Sequence, residues 1–157
     1  MNYSFLIRRA DETDAPAIKD IMTEAFTRYM KESNMPGTVE ALEESISEIT
    51  HDIQNKHVYI AIVDDLPVGS LRIMVDENNN AWLTRFGVRS EYRNIGIGKS
   101  LMNLVDKLMA ELAVNKLFLY TSSKAKELIR FYYGMGFYIE STSDDRGYLR
   151  ALLVKEY

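Results

Sequence analysis

The sequence predicts a mixed α/β fold built on a mostly antiparallel sheet of about seven strands, and three observations carry that prediction. Apolar and polar residues alternate over several short stretches, the period of a half-buried strand; elsewhere apolar residues recur every three or four positions, the period of an amphipathic helix. Three strand-like stretches, at 57–63, 68–75 and 81–88, follow one another through short polar turns and read as an antiparallel run. The last of them passes through a glycine-bearing turn into a helix and on to a strand at 116–121, which makes that connection a parallel crossover.

Residues 4–9 form the first strand, with Phe5 and Ile7 alternating against Leu6 and Arg8. Thr13 or Asp14 caps a helix that has Pro16 in its first turn and an apolar face of Ile18, Ile21, Met22, Ala25, Phe26 and Tyr29. The break at 33–37 ends it. Near Thr38 a second helix starts, with the stripe Val39, Leu42, Ile46, Ile49 and Ile53. Asp64, Asp65, Leu66 and Pro67 turn the chain between the next two strands, and residues 76–80 turn it again. Alternation along 81–88 sets Trp82, Thr84, Phe86 and Val88 on one face. The following helix carries Ile97, Leu101, Leu104, Val105, Leu108 and Leu112 on one side. After the strand at 116–121, Ser122 or Ser123 caps a helix bearing Ala125, Leu128, Ile129 and Tyr132 or Tyr133, which Gly134 and Gly136 end. Residues 137–141 and 148–154 close the chain as an antiparallel pair around Asp144, Asp145, Arg146 and Gly147.

Composition narrows the function. A chain of 157 residues, 46% hydrophobic and 27% charged, fits one globular domain spanning 1–157. The net charge of −4, without a basic cluster, argues against a nucleic-acid partner and slightly favours a cationic or amine substrate. Cysteine is absent, which removes disulfides, thiolate metal sites and a cysteine nucleophile and fits a reducing, cytoplasmic location. Met1, Asn2, Tyr3 and Ser4 do not open a leader peptide, and no apolar run approaches the roughly 20 residues that span a bilayer, so no membrane partner is expected. His51 and His57 lack partners at metal-ligand spacing and read as surface or strand-edge residues, so no metal is expected.

The chemistry concentrates at 86–101. A strand ends at Val88, Arg93 precedes Gly96 and Gly98, and a helix begins at Ile97. A helix start presents unpaired N–H groups and a partial positive charge, which suits a phosphate. The two glycines let the backbone approach it, and Arg93 adds a charge-assisted hydrogen bond. Gly98, Lys99 and Ser100 mimic the end of an NTPase phosphate loop, but Arg93 stands where its first glycine belongs. A dinucleotide loop needs a third glycine where this chain has Leu101. A plain strand-to-helix turn also fits.

The Arg-x-x-Gly-x-Gly pattern of Arg93, Gly96 and Gly98 resembles the pyrophosphate loop of the GNAT acyltransferase superfamily, whose members use acetyl-coenzyme A. A second stretch, 125–137, resembles that family's helix ending Phe-Tyr-x-x-x-Gly-Phe, and the element order matches over essentially the whole chain. The resemblance implies a GNAT fold with helices on both faces and a splayed parallel strand pair that takes the pantetheine arm. Phe86, Gly87 and Val88 then hydrogen-bond the arm, the Val88 N–H polarises the thioester carbonyl, and Arg93, Asn94, Ile95, Gly96, Ile97, Gly98, Lys99 and Ser100 cradle the pyrophosphate. Tyr132 aligns with the family's general acid toward the departing thiolate, with Tyr133 as fallback; Tyr132 also fits a plain aromatic core beside Phe131 and Phe137. Full proton transfer from a free tyrosine to a thiolate is uphill by roughly 2 kcal/mol, so the useful part of that role is hydrogen bonding to the developing charge.

The chain departs from the family at two positions. Arg85 stands where many relatives have a glutamate base, and Glu43, Glu44 and Glu91 replace it on composition only. Arg85 suits either an acceptor carboxylate or a surface charge. Ala125 stands where many relatives have an asparagine that touches the coenzyme, a contact Ser123 would have to supply. The expected activity is acetyl transfer from acetyl-coenzyme A to a small-molecule or peptide amine by direct attack. A coenzyme-binding sensor with little catalysis and a non-enzymatic interaction domain are the alternatives, and a homodimer is compatible with the family.

Overall fold

The computed structural model describes residues 4–157, so the leader reading of Met1, Asn2 and Tyr3 lies outside the described residues. Among the described residues, seven strands form one sheet: β1 (Phe5–Arg9), β2 (His57–Val63), β3 (Leu66–Val75), β4 (Ala81–Val88), β5 (Lys116–Ser122), β6 (Tyr138–Ser143) and β7 (Arg150–Glu156). Their spatial order is β1-β2-β3-β4-β5-β7-β6, antiparallel except where β4 runs parallel to β5. The helices are α1 (Ala15–Glu32), α2 (Glu40–Glu43), α3 (Ile46–Asn55), α4 (Ile97–Glu111) and α5 (Lys126–Gly134). Ile18, Ile21 and Met22 of α1 pack with Ile49 of α3 on Val58 and Ile60 of β2. The larger core joins Leu101, Met102, Val105 and Met109 of α4 and Tyr132 of α5 to the opposite face, through Leu71, Leu83, Leu117 and Leu153.

Three expectations need correction. The first helix is led by a 3-10 turn, Glu12–Asp14, which Asp11 rather than Thr13 or Asp14 caps. The last helix starts without a side-chain cap, because the Ser122 hydroxyl takes the Lys124 N–H instead. The single helix expected from Thr38 is two. Glu44 adopts an extended conformation between them, and Ser45 and Glu48 form a new capping box for α3. The cause lies in β3. Arg72 is fully buried there and needs a carboxylate; the break turns Glu44 inward to meet it in a two-pronged pair, 2.8 Å at each end. Asp52 of α3 accepts a further bond from Arg72 at 2.7 Å, and Lys19 of α1 donates to the Glu44 carbonyl.

Strand β4 also departs from simple alternation. Ser70 pairs with Gly87 and Arg72 with Thr84, so Leu71 faces both Arg85 and Phe86. Arg85 takes a positive φ of 53° at this bulge. The extra residue flips the face of everything after it. Trp82 and Thr84 share the face of their partners Met74 and Arg72, while the Phe86 ring and Val88 pack on the α4 side, against Gly98 and Leu101 respectively. The expectation of one face for all four residues therefore fails at Arg85.

Candidate active site

Strands β4 and β5 pair only at Ala81–Leu117 and Trp82–Phe118, then part. Beyond that point Phe86, Gly87 and Val88 line one side of a gap and Tyr120, Thr121 and Ser122 the other. Backbone N–H groups alternate sides along a strand. The Arg89 N–H goes to the Val68 carbonyl of β3, so that of Val88 faces the gap. The Ser123 N–H goes to the Leu149 carbonyl, so that of Ser122 faces the gap from β5, where it donates to the Tyr29 hydroxyl at 2.7 Å. Tyr29 thus reaches from α1 into the opening between the strands. Arg28, beside it on α1, donates to the Val88 carbonyl at 3.0 Å and to the Ser90 hydroxyl at 2.7 Å. The end of β4 is fixed by side chains on an element 60 residues away in sequence.

The loop after β4 leads into the start of α4. Asn94 and Gly96 both have positive φ, 61° and 94°, and turn the chain into α4. The first helical bond runs from the Ser100 N–H to the Gly96 carbonyl, 2.9 Å. Ser100 therefore spends its N–H inside the helix, and those of Ile97, Gly98 and Lys99 are left without an intrahelical partner. A side chain at Gly98 would lie 3.3 Å from the Phe86 ring, so glycine keeps that approach open. Ile95 projects into solvent and Ile97 is buried. Arg93 is held beside the loop by Glu32 at 3.1 Å. These groups fit a pyrophosphate: backbone donors at a helix start, an adjacent guanidinium and no side chain in the way.

Tyr132 stands at the inner edge of the gap in a cage of Phe86, Phe131 and Phe137, with ring centroids 5.4 to 6.3 Å away. It is 5% exposed, and its hydroxyl has no hydrogen-bond partner among the described residues. Burial, then the neighbouring Tyr29, push its pKa well above that of free tyrosine, so it keeps its proton. Tyr133 is exposed, and its hydroxyl accepts the Ile139 N–H of β6. It does not share the gap. Ser123 donates its hydroxyl proton to the Leu149 carbonyl at 2.9 Å, which ties it to the chain before β7 rather than to the gap.

Of the replacement carboxylates, Glu43 and Glu91 are exposed and Glu44 is buried on Arg72. Arg85 lies on the α2 side of the gap, 3.5 Å from Glu44 and 4.0 Å from Glu40. Two participants escaped the sequence reading. Tyr29 falls on the apolar stripe of its helix and Arg28 next to it, and only the tertiary packing distinguishes them from core and surface. His51 is exposed and His57 opens β2, and among the described residues no group of three His, Cys, Asp or Glu is placed to hold a metal.

Solved structures of known proteins share this fold. The PaiA N-acetyltransferase of Thermoplasma acidophilum, solved with coenzyme A, superposes with a TM-score of 0.86 at 21% identity, over 98% of this chain and 99% of that one. Naa50 of Arabidopsis thaliana, solved with a bisubstrate analogue, gives 0.77 at 19% identity, over 98% and 99%. The ribosomal-protein-alanine N-acetyltransferase of Brucella melitensis gives 0.77 at 20% identity, over 97% and 99%. These likenesses establish the fold. The family model described as Acetyltransferase (GNAT) family matches residues 16–137, and on that match the chain belongs to the GNAT acetyltransferases.

Proposed function

We propose that residues 1–157 act as one cytoplasmic catalytic domain that moves the acetyl group of acetyl-coenzyme A onto a primary amine by direct attack. The observation that carries this reading is the parting of β4 from β5 with the Val88 N–H directed into the gap, next to a helix-start cradle. The coenzyme supplies an activated acetyl thioester. Val88 donates its N–H to the carbonyl oxygen as charge develops there. Ile97, Gly98 and Lys99 bind the pyrophosphate with their N–H groups, and Arg93 adds its guanidinium. The amine nitrogen forms the new C–N bond as the C–S bond breaks. Tyr132 donates a hydrogen bond to the departing sulfur, and the amine gives up its proton to water. No carboxylate is assigned as base, because Glu44 is committed to Arg72.

Calorimetric titration with acetyl-coenzyme A, with ATP and NAD as controls, tests this reading. The expected result is micromolar binding of the coenzyme alone, weakened at least about tenfold by Arg93→Ala, the usual size of a lost charged hydrogen bond. Absence of binding overturns it.

A further inference from the structure

We propose that the amine acceptor carries a carboxylate, which Arg85, Arg146 and Arg150 bind. The inference rests on the gap being the acetyl-transfer site and names the substrate class of that site.

Three guanidinium groups converge on the α2 side of the gap from three different elements. Arg85 stands on the β4 bulge, three positions before Val88, with its side chain 22% exposed. Its Nε is buried, makes no hydrogen bond and lies 3.5 Å from a Glu44 carboxylate oxygen. Arg146 comes from the turn before β7 and reaches Glu40 of α2 at 3.5 Å. Arg150 opens β7, lies 3.8 Å over the Tyr120 ring and is 11% exposed; its Nε is likewise buried without a hydrogen bond and lies 3.4 Å from Asp145. Tyr148 connects this wall to the reacting centre. Burial and the neighbouring Tyr29 raise its pKa, Arg150 and Arg146 lower it, and Tyr29 itself adjoins Tyr132.

Glu40 shows what fits between these arginines. One of its carboxylate oxygens lies 4.0 Å from Arg85 and the other 3.5 Å from Arg146. Glu40 opens the four-residue α2, and its side chain is 77% exposed. A carboxylate that bridges two arginines through one long hydrogen bond and one ion pair is loosely held. An incoming carboxylate can replace it and draw closer. The other acidic groups of this wall are already engaged. Glu44 is bound at both oxygens by Arg72, Asp52 by Arg72 and Lys56, and Asp145 by Arg150 and the Ser143 hydroxyl. When Glu40 swings out, the wall is left with uncompensated positive charge. That repels a polyamine and attracts the acid end of an amino acid.

The test uses matched acceptors that differ only at the acid: phenylalanine, phenylalanine amide and phenethylamine, with aspartate and asparagine for a side-chain carboxylate. Binding to the protein saturated with coenzyme A is measured by calorimetry, and acetyl transfer by initial rates. Within at least one set, the member bearing the carboxylate under test is expected to exceed the partner lacking it by about tenfold or more in affinity and in kcat/KM. Arg85→Gln and Arg150→Gln should each collapse that ratio, a readout that general loss of folded protein does not move. Glu40→Gln should instead tighten the carboxylate member by removing its competitor. Equal or better binding of the partners lacking that carboxylate overturns the proposal, as does a ratio insensitive to both arginines. Failure of acetyl-coenzyme A to bind, or of every amine to be acetylated by coenzyme-loaded protein, strikes the transfer reading instead, and the calorimetric ratio still judges the carboxylate.

Discussion

The two walls of the gap are made of different materials. The β4–α4 wall presents backbone: the Val88 N–H, the first N–H groups of α4, and glycines where a side chain would obstruct. The α2–β7 wall presents long charged side chains, Arg85, Arg146 and Arg150, set among carboxylates. Backbone donors are positioned by secondary structure and stay put when neighbouring side chains change. Charged side chains are positioned by one another and by what lies beneath them. A wall of the first kind suits a constant ligand such as a shared coenzyme, and a wall of the second kind suits an acceptor that differs between relatives.

The side-chain wall depends first on its anchor, Arg72. Arg72 is fully buried, and both Glu44 and Asp52 depend on it. Arg72→Ala leaves two carboxylates facing an empty space, and the expected cost is about 3–5 kcal/mol in urea unfolding. The pair of changes Arg72→Met and Glu44→Leu removes both charges and should cost far less. A loss below about 1 kcal/mol in the single variant would mean that the network does not hold α2 in place, and the side-chain wall would need another anchor.

Tyr132 stands at the edge of the gap, where its hydroxyl matters more than its ring. Tyr132→Phe removes one oxygen from an aromatic cage and leaves the packing of Phe86, Phe131 and Phe137 intact. Turnover should fall about 10²-fold, the lower end for a general acid, because burial makes this hydroxyl a weaker one. Coenzyme affinity should be unchanged, since the proposed cradle is backbone. The raised pKa also fixes a sign. Tyr132 stays protonated through neutral and mildly alkaline pH, so a high-pH decline in the wild-type rate should persist unchanged in the variant. A variant with full turnover would make Tyr132 a core residue only.

The same division explains what the sequence disclosed. The seven strands and their succession along the chain were legible because period-two patterning and turn chemistry are local. The helix start at Ile97 was legible because Gly96 and Gly98 announce it. The bulge at Arg85 was not, since one extra residue leaves no local mark; it is visible only in the register against β3. Nor was the break at Glu44, where a clean apolar stripe continues through a bend that a buried arginine on another strand imposes. Tyr29 looked like core because its helix spacing is that of core, and only the parting of β4 and β5 gives its hydroxyl an N–H to receive. Backbone-built parts follow from neighbours in sequence, and side-chain-built parts follow from neighbours in space.

The smallest expected effect tests whether the backbone wall really is set by close packing. A Cβ at Gly87 would stand 2.7 Å from Ala25 Cβ and 3.2 Å from Met22 Cε, both on α1. The first contact is between two short, inflexible groups, so either α1 or the end of β4 must move. Gly87→Ala should cost about 1–3 kcal/mol, the usual range for overpacking, and should lower turnover by shifting the adjacent Val88 N–H. Ala25→Gly removes the opposing methyl at a helix-propensity cost of about 1 kcal/mol. Combined, the two changes should be less harmful than their sum by about 1 kcal/mol or more, the signature of a direct contact in a double-mutant cycle. Strict additivity would show that β4 takes up the extra carbon without pressing on α1. The position of the Val88 N–H would then owe more to the Arg28 hydrogen bond at its carbonyl than to the packing of the strand.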